Sequence, residues 1–474
     1  MMASIFAWDI DMRSKSNLIL VSTLLCMPVG YAEVTLDGSV GASDISPGDS
    51  VPAGNGFTYN ITSDFGEQAG ENLFHSFDRF NIHLGEHANF SGPTSVSNIV
   101  SRVTGGESSI AGKITSSISG ASLWLVNPAG FIFSNGAVVD VDGTLHLSTG
   151  DFLEFSDGSR YFSNPSALST LSTSAISSFG FLADSGGTIN IDSSRAPDGE
   201  VDATSHNLNI NAQAITVRNA DLNAQEIGIR TGDASFGNIY LENSLLETVG
   251  GGTVKLAATA ITLDNVEVLG EAIGTGTGGD ILFEATTVSI SNDSTVNVSS
   301  LSTIDDAGDS GAVRITAETV DIANTEFLLA TLGGGEGGAL EIDATDIDLS
   351  QTLIEAETKG SGNGGEILMR GETIDWRNVA VNASGIGTGV GGEILLQGDA
   401  IKLLNPNINI TAEGSGAAGD LIASGDSFIA TGTGGIFGDS QGSGVGADIQ
   451  LLTAETVLQD VTLTTSSLGD GPGG

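Results

Sequence analysis

The chain has 474 residues, with 15 Lys plus Arg against 59 Asp plus Glu, a formal net charge of −44. So acidic a chain excludes a nucleic-acid binder built on phosphate contacts. Glycine, at 67 residues, is about twice its average share, while proline numbers 9 and aromatics 5%; this fits neither collagen nor a proline-rich linker.

Taken from the N-terminus, Asp11 to Ala32 reads as a secretory signal. Arg13 and Lys15 form its charged region, Leu18 to Met27 its apolar region, and Gly30, Tyr31 and Ala32 the cleavage positions. The mature chain would begin near Glu33, with Met12 as an alternative start. The apolar stretch is too short to cross a bilayer core of about 30 Å. The single cysteine, Cys26, lies inside this segment, so no thiol or disulfide is expected after cleavage. Leu24 and Leu25 stand where a lipoprotein signal would have small residues.

From Glu33 to about Gly158 the composition changes, and most of the phenylalanines fall here, with four of the five histidines. Three blocks stand out: NLFHSFDRFNI from Asn72, NIVSRVTGG from Asn98 and LWLVNPAGFIFSNGAVVDVDG from Leu123. Asn127, Pro128, Ala129 and Gly130 read as a β-turn, since Pro128 presets φ, Gly130 tolerates a positive φ and Asn127 can bond its own backbone. Phe74, Phe77, Phe80 and Phe90, with Leu73, are expected to pack the end of a β-structure or a sheet covering it. Arg102 is one of few cations in the region and is expected to pair with a carboxylate.

Together the three blocks, in this order over about 120 residues, resemble the two-partner secretion, or haemagglutination-activity, domain of the filamentous haemagglutinin family. The resemblance implies a capped right-handed β-helix directly after the signal, recognised by the periplasmic domains of a partner outer-membrane pore. Asn127, Pro128 and Gly130 fall on the family's NPNG-type motif, with Ala129 in place of its second Asn. These three, with Asn72, Phe74, Phe77 and Arg102, become the candidate recognition residues. The family's other signature, NPxL, is not found in the module.

Beyond residue 252 the sequence repeats. The leading strand residues are Val254, Ile281, Val313, Leu340, Ile367, Ile394, Leu421 and Ile449, spaced by 27, 32, 27, 27, 27, 27 and 28 residues. Each unit holds three short segments with the alternation of strands, such as EILMRG, TIDWRN and VAVNAS, closed by Gly-rich links expected to supply tight corners with positive φ. Stacking such units predicts an all-β chain, a parallel β-helix whose right hand follows from the crossover rule. The expected order is a signal over 1–32, the secretion domain over 33–183, and the repeat region over 184–474.

Residues just before the leading positions include Glu366, Glu393, Asp420 and Asp448. Stacked carboxylates about 5 Å apart repel unless water or a cation intervenes, so this column reads first as a solvated ladder and only weakly as a cation site. Other motifs carry less. His83, Glu86 and His87 match H-x-x-E-H, but Gly85 and strand-like flanks oppose the helix a zinc peptidase needs. Ser440 sits in a G-x-S-x-G match with no later histidine, and Gly274, Gly276 and Gly279 precede a strand rather than a helix.

The resulting expectation is a non-enzymatic exoprotein of a Gram-negative cell, secreted or surface-exposed. It needs no cofactor, is exported through an outer-membrane partner pore, and has a shaft that acts in adhesion toward surface glycans or proteins. The alternative is an extracellular β-helical polysaccharide lyase or hydrolase. For a lyase, only 13 cations remain once Arg13 and Lys15 are set aside from the 15, and the sequence assembles no basic cluster. The closing GDGPGG shows no recognisable cap or toxin domain, so the sequence reads as part of a longer exoprotein or as a short one.

Overall fold

A computed structural model describes residues 33–474 apart from 43, 45, 56, 135, 183–185, 194–201 and 233–236. The signal reading, Cys26 and the boundary at 183 lie outside the described residues. The rest is a parallel β-solenoid of about 14 turns.

The architecture follows from alternation. In each strand one residue in two points inward, and successive coils stack like on like. Val254, Ile281, Val313, Leu340, Ile367, Ile394, Leu421 and Ile449 are register partners in unbroken succession. A second inward column runs from Ile261 through Val288, Val320, Ile347, Ile374 and Ile401 to Phe428. A third runs from Val268 through Val296, Phe327, Ile354, Val381, Ile408 and Ile436 to Leu463. These residues join one continuous interior, in which the side chains are almost wholly buried until the last described coil. Each buried aliphatic side chain stabilises the stack by about 1.5–3 kcal/mol relative to exposure.

The N-terminal module is built of the same coils. The first column extends upstream through Ile227, Leu208, Leu145, Leu123 and Ile99 to Leu73. The period is invisible there because the steps from Leu73 to Val254 are 26, 24, 22, 63, 19 and 27 residues. At the N-terminal end, Val34–Leu36 and Glu67–Ala69 pair antiparallel with Asn72–Phe80. Val34, Leu36 and Val51 complete the interior there.

The Gly-rich links correct the expectation of positive φ. Among the described residues, the glycines from 333 to 419 avoid the left-handed region. They are required by stacking. A Cβ on Gly360 would lie 1.9 Å from the carbonyl oxygen of Gly333, one on Gly387 1.6 Å from that of Gly360, and one on Gly414 1.4 Å from that of Gly387. The left-handed corner lies instead between the second and third strands and is made mainly by asparagine. Asn324, Gln351, Asn378 and Asn405 have φ of 51°, 51°, 54° and 51°. Asparagine tolerates this conformation and ladders along the stack: Asn405 donates to Asn378 at 2.9 Å and Asn265 to Asn243 at 2.8 Å.

Candidate functional site

Between Ser148 and Thr188 the chain leaves the solenoid and forms three antiparallel strands, Phe152–Phe155, Arg160–Phe162 and Ile176–Gly180. This sheet lies over the outward side chains of the early coils. Phe74, Val100, Trp124 and Val126 face away from the helix interior and form a second core with Leu153, Phe155 and Tyr161. The rings of Phe74 and Tyr161 are 5.0 Å apart. Leu73, Phe77, Phe80 and Phe90 instead point into the solenoid.

Two polar devices fasten the sheet. Asn72 is buried and donates to the carbonyls of Ser172 and Ser174 at 2.9 and 2.8 Å. Its own Oδ1 accepts from Asn98, whose Oδ1 accepts the indole N–H of Trp124 at 3.1 Å. Arg102, only 3% exposed, donates to Ser76 and Ser39 on the solenoid side and to the Phe162 carbonyl of the sheet, each at 2.6 Å. Its guanidinium lies 4.6 Å from the Tyr161 ring centre. Contrary to the expectation from sequence, Arg102 makes no ion pair with a carboxylate among the described residues; Asp37 is linked to it through Ser39 and Ser76, which accept from Arg102 and donate to Asp37. Burial alone would raise the pKa of Asp37, but hydrogen bonds from Ser39 and Ser76, with the charge of Arg102, hold it below the usual range. Burial pushes Tyr161 upward, and Arg102 opposes that shift. His75, fully enclosed, is depressed to about 4 by burial, against a hydrogen bond to the Thr62 carbonyl.

The Asn127–Gly130 turn links strand Ser122–Val126 to strand Phe131–Ser134. Asn127 is fully buried. Its Oδ1 accepts from the Ala129 N–H at 2.9 Å, and its Nδ2 donates to the Gly106 carbonyl and Ser108 hydroxyl at 3.1 and 3.0 Å. Gly130 closes the turn onto the Asn127 carbonyl with φ of 113°, and a Cβ there would meet the Thr188 carbonyl oxygen at 2.6 Å. Ala129 is exposed at the tip and Pro128 is half-buried.

Of the candidate residues, then, Asn72, Phe74 and Arg102 meet beneath the sheet, Phe77 is interior, and Asn127, Pro128 and Gly130 shape a separate turn. Sequence reasoning missed Asn98, Trp124, Tyr161 and Asp37. Their order emerges only in the structure: Asn72 and Asn98 each precede a leading residue of the first column, and Trp124 follows one, in a region where the sequence shows no period.

Elsewhere, Glu366, Glu393, Asp420 and Asp448 are exposed, one per coil, and Asp420 accepts the Asp448 backbone N–H at 3.1 Å. Among the described residues no group of three or more His, Cys, Asp or Glu side chains converges to hold a metal. His83 lies in a turn while His87 begins a strand and bonds Thr115. Ser440 is fully buried and donates to the Gly416 carbonyl at 3.3 Å.

Comparison with known proteins agrees with this geometry. The family model for the TPS secretion domain matches residues 32–277, just over half of the chain. No curated protein matches the sequence. Among solved structures, the HMW1 secretion domain from Haemophilus influenzae superposes with a TM-score of 0.50 at 15% identity, covering 73% of this chain and 95% of that one; at that identity the likeness speaks to the fold. The first coils, their external sheet and the matched segment coincide, and the chain belongs to the secreted exoproteins of Gram-negative two-partner systems that carry the TPS secretion domain.

Proposed function

We propose that residues 33–183 are recognised by a partner outer-membrane pore and that the coils from 184 onward form a shaft acting in adhesion or surface interaction. The family match over 32–277 carries the first part of this reading. The shaft's construction supports the second: its coils contact mainly their neighbours, so each can fold on the last as it emerges outside the cell. Burial of each inward column then opposes back-sliding. No catalytic residue is assigned.

The Asn127–Gly130 turn supports a division of labour at the recognition surface. Asn127 and Gly130 hold the loop, and only Ala129 and part of Pro128 reach solvent. An Ala129→Arg variant should fold with an unchanged melting temperature yet be secreted less in the presence of the partner pore. An Asn127→Ala variant should lose both stability and secretion. Normal secretion of a folded Ala129→Arg variant would remove this turn from the recognition surface.

A further inference from the structure

The external sheet covers the outward face of the first strands only as far as His146, leaving a step. His146 stacks on Trp124 with ring centres 3.5 Å apart, and Phe179 of the sheet's edge strand stands 6.3 Å from it. In the following coils the outward positions in register with His146 are Asn209, Gly228 and Lys255. The parallel row two residues on carries Asn211, Arg230, Ala257 and Glu284. Between these rows and the sheet edge lies a groove of about 490 Å³, within the usual range for a small-molecule site.

Three observations at this groove point to a ligand. The Oδ1 atom of Asn211 is buried and accepts no hydrogen bond, which is rare for a polar atom without a function or a bound partner. Among the described residues Arg230 has no carboxylate within ion-pair distance, although this chain carries 59 acidic residues. Gly228 leaves the floor open, since a Cβ there would meet only the tip of the Asn209 side chain, at 2.8 Å.

We infer that this groove binds an acidic saccharide, a sugar ring bearing a carboxylate. The flat faces of Phe179 and His146 suit the C–H face of a pyranose ring, and burial, which lowers the His146 pKa to about 3, keeps that ring neutral. Ring hydroxyls donate to Asn211 Oδ1 after its amide turns outward into the groove on binding, with Asn209 beside it. Arg230 takes the carboxylate in the forked geometry a guanidinium favours, near Lys255, which is itself paired to Glu284 at 2.9 Å. Elsewhere a chain of net charge −44 repels such a ligand, so charge complementarity concentrates it here. The assignment names a ligand class for the surface-interaction reading and rests on it, whereas export through a partner pore stands or falls separately.

The test is calorimetric titration of the purified mature chain with an oligogalacturonate and a hyaluronan hexasaccharide, against a neutral cello-oligosaccharide. Binding of at least one acidic probe in preference to the neutral one is expected. Arg230→Gln should weaken it at least about tenfold, the effect of losing one charge-assisted pair. Gly228→Leu should abolish it, and Lys402→Gln, five coils beyond Lys255, should leave it unchanged, with melting temperatures equal throughout. Absence of binding to both acidic probes, or binding indifferent to Arg230→Gln and Gly228→Leu, would overturn the assignment. So would loss of partner-pore binding in Gly228→Leu without any saccharide binding, which would make the groove a protein-docking site.

Discussion

The α-carbon of Gly387 sits so close over the carbonyl of Gly360 that a Cβ there would lie 1.6 Å from the carbonyl oxygen. The glycine columns are thus spacers that let the links stack at the pitch of the strands. Backbone atoms cannot yield as a side-chain tip can, so Gly387→Ala should cost about 1–3 kcal/mol through forced separation of two coils. Gly106→Ala, where a Cβ meets nothing within 4 Å, should change stability by less than about 0.5 kcal/mol. Denaturant midpoints of the two variants measure the contrast.

The asparagine corner makes the opposite demand. Asn378, at φ 54°, accepts from Asn405. Asn378→Ala keeps the left-handed backbone but loses the tolerance and the ladder bond, a cost of about 1–2 kcal/mol. Asn378→Gly should recover most of the loss. Equal destabilisation by both would show that the ladder bond, rather than backbone strain, dominates.

Arg102 bridges solenoid and sheet. Arg102→Met keeps the bulk but leaves Ser39, Ser76 and the Phe162 carbonyl without their charged donor, a cost of about 3 kcal/mol. The sheet should then loosen before the coils do, seen as faster proteolysis between residues 163 and 175 with little change in the far-ultraviolet signature of the solenoid. Uniform cleavage along the chain would contradict the latch.

His75 sets a pH dependence. It is enclosed, its Nε2 bonds the Thr62 carbonyl at 3.2 Å, and its Nδ1 has no partner. Its folded value is about 4, against about 6.5 when unfolded. Between those values the unfolded state binds the extra proton, so stability from this group is complete above about 6.5 and is lost as pH falls toward 4. The loss is on the order of 3 kcal/mol. Because protonating carboxylates relieves the net negative charge and acts the other way, the measurement is the difference between the wild type and His75→Phe across pH 4–7. That difference should narrow or reverse in favour of His75→Phe as pH falls.

The shaft is legible because its coils have nearly equal length: identical spacing puts Ile367, Ile394 and Leu421 in one column. The secretion module matched its family by blocks, yet its coil positions were hidden by the 63-residue step from Leu145 to Leu208 that carries the external sheet. Alternation puts Phe74 and Phe77 on opposite faces, but it gave no sign that the outward face, at Phe74, is also covered. Asp37 lies far in sequence from Arg102, and no local pattern announces a link through two serines. In the links from 333 to 419 glycine serves by its lack of a side chain rather than by its freedom of φ. The groove beside His146 is assembled from six successive coils and an insertion, so no short motif carries it.

Release of the full chain from a Gram-negative host, with and without the partner pore and with periplasmic leakage monitored, tests the export mechanism most directly. Appearance of folded chain outside the cell only when the pore is present is expected. Equal release in its absence would contradict recognition by a partner and leave an ordinarily secreted β-solenoid.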